Sequence, residues 1–372
     1  MTSMTQSRLT RLKKLIHAEL DHLTKITPSD RPWQMPFTAA LAIGLPLTVG
    51  AYFNHLDYGL VSSLGGLVFL YLPNTPMHHR MVTIMACAFA ITACYALGVM
   101  SHFSSVLMVP VLTFISILIT MLCRFYMLGM PGSLFFIMAA AIGAYTPLTP
   151  MQVPLMVGLV SMGALLACLL AFFYSLYRLR LHAAKAAPPL AAPTFDFVVF
   201  DSVIIGIFVG ISLLLAQSLH LEKAYWVPVS CLAVIQGVSV RAIWNKQLHR
   251  IVGTGIGLLV SWGLLSLTMD KWMICLTVMV LTFMIEVIVV RHYALAAIFI
   301  TPLTILLAEA ATMAHGSVSL LIQARFFDTV LGCLTGLAGG ICLHSPAFRR
   351  IAGAQMKRLV PASIRRQDQH RD

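Results

Sequence analysis

The chain has 372 residues, of which 59% are apolar and 10% charged, with a mean hydropathy of +0.87. Soluble domains carry about a quarter of their residues as charges, so this composition excludes a water-soluble globule. The formal charge of +12 does not point to nucleic acid, because the basic residues sit in short loops and tails beside apolar runs, with no aromatic platform or folded basic domain around them.

In chain order, the first 30 residues contain no apolar core of a secretory signal, so the apolar run from Met35 is expected to serve as the insertion signal. Residues 8–26 place Leu9, Leu12, Ile16, Leu20 and Leu23 at three- and four-residue steps, with Arg11, Lys13, Lys14 and Lys25 elsewhere on the wheel. That spacing predicts an amphipathic helix on the inner leaflet within a cytoplasmic segment, 1–34. Apolar runs of roughly the ~20 residues that cross ~30 Å of hydrocarbon then follow one another. They predict helices near 35–53, 58–73, 81–100, 105–124, 128–146 and 151–176. A second set lies near 198–218, 225–240, 251–268, 272–290, 293–313 and 320–343. The second and eighth are short enough to be tilted, broken or only partly spanning.

The reading is therefore all-α: a polytopic membrane protein of about 12 transmembrane helices, built as two parallel six-helix repeats at 35–176 and 198–343. A basic Ala/Pro-rich linker at 177–197 joins them, and a basic cytoplasmic tail occupies 344–372. The charge distribution is an independent check, because Lys and Arg accumulate on the cytoplasmic side during insertion. With the N-terminus inside, 22 of the 25 Lys and Arg residues fall on the inner side; Lys223 and Lys271 fall outside, and Arg325 lies within the twelfth helix. An even number of spans with both termini in the cytoplasm follows.

The polar punctuation is sparse. Pro46, Pro110, Pro154, Pro228 and Pro302 lie inside predicted helices, where kinks free backbone carbonyls. All eight cysteines lie inside apolar runs, without CxxC spacing, and read as small core residues rather than disulfides or metal ligands. Ionisable side chains within a membrane helix are costly, so each is a functional candidate. The second half holds Asp201, Glu286, Glu309, Arg325 and Asp328; Asp201 reads as an interface marker. Glu309, Arg325 and Asp328 lie near the outer ends of the last two helices, which form a hairpin, and Arg325 and Asp328 are i, i+3 neighbours able to pair. They form a candidate substrate-binding or gating cluster, to which Tyr225 and Trp226 are added at the start of the eighth helix. A structural, self-neutralised pair is the competing reading.

Glu286, one turn from the inner end of the tenth helix, is a proton-coupling candidate; near Arg291 it would instead be structural. Arg241, Lys246 and Arg250 are expected in a cytoplasmic loop between the eighth and ninth helices, where they would attract anions or simply mark topology. Gly253, Gly257, Gly332, Gly336 and Gly340 recur at four-residue spacing and are expected to pack helices closely. No nucleophile-and-base set or ordered ligand cluster converges at one interface, so no enzymatic activity, cofactor or metal is expected, His78-His79 having no further partner.

The run YWVPVSCLAVIQGVSVRAIWNKQLHRIVGTGIG from Tyr225, followed by RHYALAAIFITPLTILL from Arg291, resembles the membrane domain of the fusaric acid resistance and aromatic acid exporter-like family. The matching residues are Tyr225-Trp226, Gln236, Arg241, the Arg250–Gly257 run and Arg291–Ala296; DYGLVSSLGGLVFLYLP and Arg80 match more loosely in the first half. The resemblance implies a bacterial inner-membrane exporter of aromatic or other organic acids, with proton coupling as one option, and the plant malate channels look like distant relatives. A passive organic-anion channel and a non-transporting membrane subunit are the alternatives. Many members carry a large soluble region, for which the linker and tail here leave no room. The partners implied are the lipid bilayer and a small organic anion; a homo-oligomer and a periplasmic adaptor remain open, and nucleic acid is not expected.

Overall fold

The computed structural model describes residues 28, 31–181, 186, 196–237, 239–267, 269–309 and 318–359, without the side chains of 196, 308, 309, 318–320, 354 and 356–359. The predicted amphipathic helix at 8–26, most of the linker and the end of the tail lie outside these residues. Among the described residues the chain is all-helical, with no strand.

The helices are α1 (Gln34–Tyr52), α2 (Leu56–Gly66), α3 (Met77–His102), α4 (Ser105–Phe125), α5 (Leu134–Tyr145) and α6 (Val153–Leu181). After the linker come α7 (Asp201–Ser218), α8 (Trp226–Ile235), α9 (Val240–Leu265), α10 (Lys271–Ile288), α11 (Tyr293–Glu309), α12 (Val318–His344) and α13 (Pro346–Leu359). Eight of them are long and apolar enough to cross a membrane: α1, α3, α4, α6, α7, α9, α10 and α12. Four are shorter: α2 with its 3₁₀ extension to Tyr71, α5, α8, and α11. At ~1.5 Å per residue, the ten residues of α8 cover about half of a ~30 Å hydrocarbon core.

The short fifth segment has a local cause. The chain from Tyr126 to Ser133 turns before α5 begins, through Gly129, Pro131 and Gly132; Gly132 sits at φ +63, a conformation suited to glycine. The ninth helix differs in the other direction. It starts at Val240 rather than near 251, capped by Ser239, whose hydroxyl accepts from the Ala242 amide at 3.2 Å. Arg241, Lys246 and Arg250 therefore occupy the first three turns of α9 and not a loop. The polar letters depress the hydropathy of this stretch, but Arg, Lys and Gln are good helix formers. Arg80 likewise lies within the first turn of α3 rather than before it.

Packing partners recur six helices apart. In the first half α1 packs on α2, α2 on α6, α3 on α5 and on α6, and α1 on α6. In the second, α7 packs on α8, α8 on α12, α9 on α11 and on α12, and α7 on α12. The halves join at two seams of the same kind, α4 against α7 and α10 against α1. Glycines make the tightest approaches: a Cβ at Gly98 of α3 would strike the Ala140 carbonyl of α5, and one at Gly257 of α9 would meet the Ile298 carbonyl of α11 at 2.6 Å. Gly253 lies against the Ala294 carbonyl, Gly332 and Gly336 against the α8 backbone, and Gly340 against Ile243.

One buried core runs through both halves, while Phe89, Phe114, Leu165, Leu259 and Leu276 project outward from it. An apolar exterior over a packed interior is what lipid requires of a helical bundle. Pro46, Pro110 and Pro302 lie inside α1, α4 and α11, whereas Pro154 and Pro228 occupy first turns, where a missing amide costs nothing.

Candidate functional site

The start of α8 builds the first part of the site. Trp226 is buried, and the Arg325 guanidinium of α12 lies over its ring, 3.4 Å from the centroid. Arg325 Nη2 also donates to Thr304 Oγ1 of α11 at 2.7 Å. Three helices thus fix one cation, and an aromatic face contributes about 2 kcal/mol to a desolvated guanidinium. The aromatic surface continues into the first half: Tyr225 lies 4.9 Å from Trp226 and 5.8 Å from Tyr145, the last residue of α5. Tyr145 is held by Gln217 of α7, which donates to its hydroxyl at 3.0 Å.

Asp328 follows Arg325 by one turn and is 0% exposed. Neither of its carboxyl oxygens has a hydrogen-bond partner among the described residues, and it forms no ion pair there. The expected Arg325–Asp328 pair is therefore not made: the guanidinium turns to the Trp226 face and Thr304 instead. The Glu309 side chain, the third expected member, lies outside the described residues.

Arg250 forms a second buried site. It is 9% exposed, ten residues into α9 and close to that helix's midpoint. Its Nη2 donates to Ser230 Oγ of α8 at 3.2 Å and its Nη1 to Tyr293 Oη of α11 at 3.3 Å. The Lys246 ammonium, one turn earlier, lies 5.5 Å from the Tyr293 ring centroid. His249 and His292 stack nearby at 5.8 Å. In the first half, the helix pair that packs in the same way through Gly98 carries Ile91 about two turns before that glycine, fully buried and apolar. The second half alone replaces this core with polar groups.

Glu286 and Asp201 sit at the seams. Arg31, just before α1, pairs with Glu286 of α10 at 2.8 Å and also donates to its carbonyl at 3.3 Å. Asp201, the first residue of α7, pairs with Arg124 of α4 at 2.9 Å and with Arg349 of α13 at 2.8 Å. Each seam therefore joins the entry of one half to the fourth helix of the other, with the signs exchanged. Glu286 meets Arg31 rather than Arg291, a partner 255 positions away in sequence. Gln236, at the end of α8, donates to Ser133 Oγ at 2.8 Å and so ties the second half to the turn before α5. Arg80 donates to the Thr75 carbonyl at 2.6 Å and to Asn74 Oδ1 at 2.7 Å, closing its own loop.

Ser230, Tyr293, Thr304, Tyr145 and Gln217 were not candidates from sequence. Only Tyr293 carried a signal, through its place in the Arg291–Ala296 run. The hydroxyls are single letters inside apolar helices, and their roles arise from contacts between distant segments.

Residues 202–339 match the family described as Fusaric acid resistance protein-like, a span that contains both buried sites. Over 154 residues the chain is 29% identical to "Uncharacterized membrane protein YvaC" of Bacillus subtilis (strain 168). That alignment covers 41% of this chain and 24% of the relative, so the chain spans about a quarter of the length of the curated relative it matches. No solved structure matches.

Proposed function

We propose that this chain is an inner-membrane transporter that exports aromatic or other organic acids, with both termini in the cytoplasm and two six-helix halves inserted in the same orientation. The observation that carries the reading is the Arg325 guanidinium fixed between Trp226 and Thr304, with Asp328 buried one turn below it. An aromatic carboxylate offers a negative group to the guanidinium and a ring to Trp226, Tyr225 and Tyr145, which line the junction between the halves. The recurrence of helix contacts six helices apart, and the matching seams, support a parallel repeat whose halves rock against one another. The family match at residues 202–339 supports transport over a purely structural role.

Asp328 supplies the coupling step. With a proton on its carboxyl, Arg325 presents its charge to the substrate; once the proton leaves, the carboxylate competes for the guanidinium and the acid is released. Proton movement in one direction thereby drives organic acid in the other. Glu286, held by Arg31, has its charge compensated at the α1–α10 seam and is the second candidate for this step.

The test is efflux from cells preloaded with a panel of aromatic and aliphatic acids, with and without a protonophore. Export against a gradient that collapses with the protonophore supports the proposal. Flux that follows the anion gradient and ignores the protonophore marks a passive channel instead.

A further inference from the structure

We propose that Arg250, Lys246 and Tyr293 form a second anion site, distinct from Arg325 and Trp226, which takes a single negatively charged group, either a carboxylate or a halide. The site is built and buried. Arg250 is 9% exposed, and its two terminal nitrogens are aimed by the hydroxyls of Ser230 and Tyr293, from two different helices. Both of these partners are neutral. Arg250 Nε has no hydrogen-bond partner among the described residues, and neither Arg250 nor Lys246 has a carboxylate within ion-pair distance there.

Lys246 brings a second cation to the same tyrosine, 5.5 Å from its ring centroid. Gln247, next to Lys246 and one turn before Arg250, is 5% exposed, and its Oε1 also lacks a hydrogen-bond partner among the described residues. Two cations gathered on one tyrosine with no carboxylate beside them among the described residues repel each other, an arrangement that a bound anion relieves. At the seams, by contrast, Arg31 and Asp201 are each met by an opposite charge.

Charge sets the ligand. Ser230 and Tyr293 engage two of the five guanidinium N–H groups, so donors remain on Nε and on both terminal nitrogens, beside the Lys246 ammonium. A carboxylate or a halide supplies a single negative charge that these donors can meet. The carboxylate source would be the transported acid on its way to Arg325; the halide source would be a resident chloride that neutralises the helix. The inference stands whether or not the chain proves to be an exporter, because binding is read without transport.

The experiment uses the full chain purified in detergent and exchanged into sodium gluconate. Thermal unfolding is followed while sodium chloride or sodium benzoate replaces gluconate at constant ionic strength. Since a ligand that binds only the folded state raises Tm with concentration, a saturable rise of several degrees with either anion is expected. The rise should vanish in Lys246→Gln and Tyr293→Phe and persist in Arg325→Gln. Arg250→Gln should abolish it too, and Lys246→Gln serves as the readout if Arg250→Gln does not fold. A rise with benzoate alone assigns the site to the transported acid, and a rise with chloride assigns it to a resident anion. No saturable rise with either, or an equal rise in Lys246→Gln and Tyr293→Phe, overturns the proposal. If the rise survives these two variants but is lost in Arg325→Gln, the anion binds at the Trp226 site and the second site does not exist.

Discussion

The Arg325 guanidinium carbon sits 3.4 Å from the ring centroid of Trp226, although 99 positions separate the two residues in the chain. This contact joins α8 to α12 and also presents a cation at the junction of the two halves. A lysine carries the charge but neither the plane nor the fork of the guanidinium. Replacing Arg325 with Lys should therefore lower the rate of acid export about tenfold, corresponding to ~1.4 kcal/mol, and Gln should lower it further. Trp226→Phe should fall between wild type and Lys. Efflux normalised to the amount of protein in the membrane checks the order.

The two seams make a prediction about folding rather than transport. Removing Arg31 takes from Glu286 its partner in a mostly buried position, at a cost of about 1–3 kcal/mol. Arg31→Gln should lower the melting temperature in detergent, and the exchange of both residues, Arg31→Glu with Glu286→Arg, should recover most of the loss. Glu286→Gln should keep export per folded molecule. If it abolishes export at normal stability, proton coupling belongs to Glu286 and not to Asp328.

Glycine contacts sort the glycines of a single helix. On α6, a Cβ at Gly163 would collide with the Ser62 carbonyl of α2, whereas one at Gly158 meets nothing within 4 Å. Gly163→Ala should therefore reduce the yield of folded protein severely. Gly158→Ala should be neutral or stabilising by up to ~1 kcal/mol, the helix-propensity gain. Equal behaviour of the two variants, measured as monodisperse protein after extraction, would contradict the packing described.

All of the apolar segments expected from hydropathy became helices, because in lipid the backbone must satisfy itself within each segment and the apolar letters record that directly. Ends were less legible. The α9 start moved by more than two turns because Arg241, Lys246 and Arg250 look like loop residues when read for hydropathy, yet Ser239 caps the helix before them. That shift carried Arg250 from an expected loop into the core. The candidate cluster was legible as residue types and not as geometry: Arg325 and Trp226 were both named, but only tertiary structure turns Arg325 away from Asp328 and onto the ring. The hydroxyls of Ser230, Tyr293 and Thr304 could not be singled out, since a lone hydroxyl in a membrane helix most often returns to its own backbone, as Ser212 and Thr282 do here.

Thr304 offers a finer probe of the Arg325 site. It anchors the guanidinium through its hydroxyl. Thr304→Val preserves shape and removes that bond, and Thr304→Ser keeps it. Val should weaken the apparent affinity for the exported acid about tenfold or more, in line with ~1.5–3 kcal/mol for a lost hydrogen bond to a charged group, and Ser should restore it. Concentration dependence of efflux in the two variants is the measurement.

The most direct test of the account is transport by the purified chain in proteoliposomes. With benzoate on both sides and an imposed pH gradient, the account predicts accumulation of benzoate against its gradient, collapse of that accumulation on addition of a protonophore, and its loss in Arg325→Gln and Asp328→Asn reconstituted at the same level. Benzoate movement no faster than in empty liposomes, across a panel that also includes hydroxybenzoates and aliphatic acids, or equal accumulation by wild type and Arg325→Gln, would contradict it.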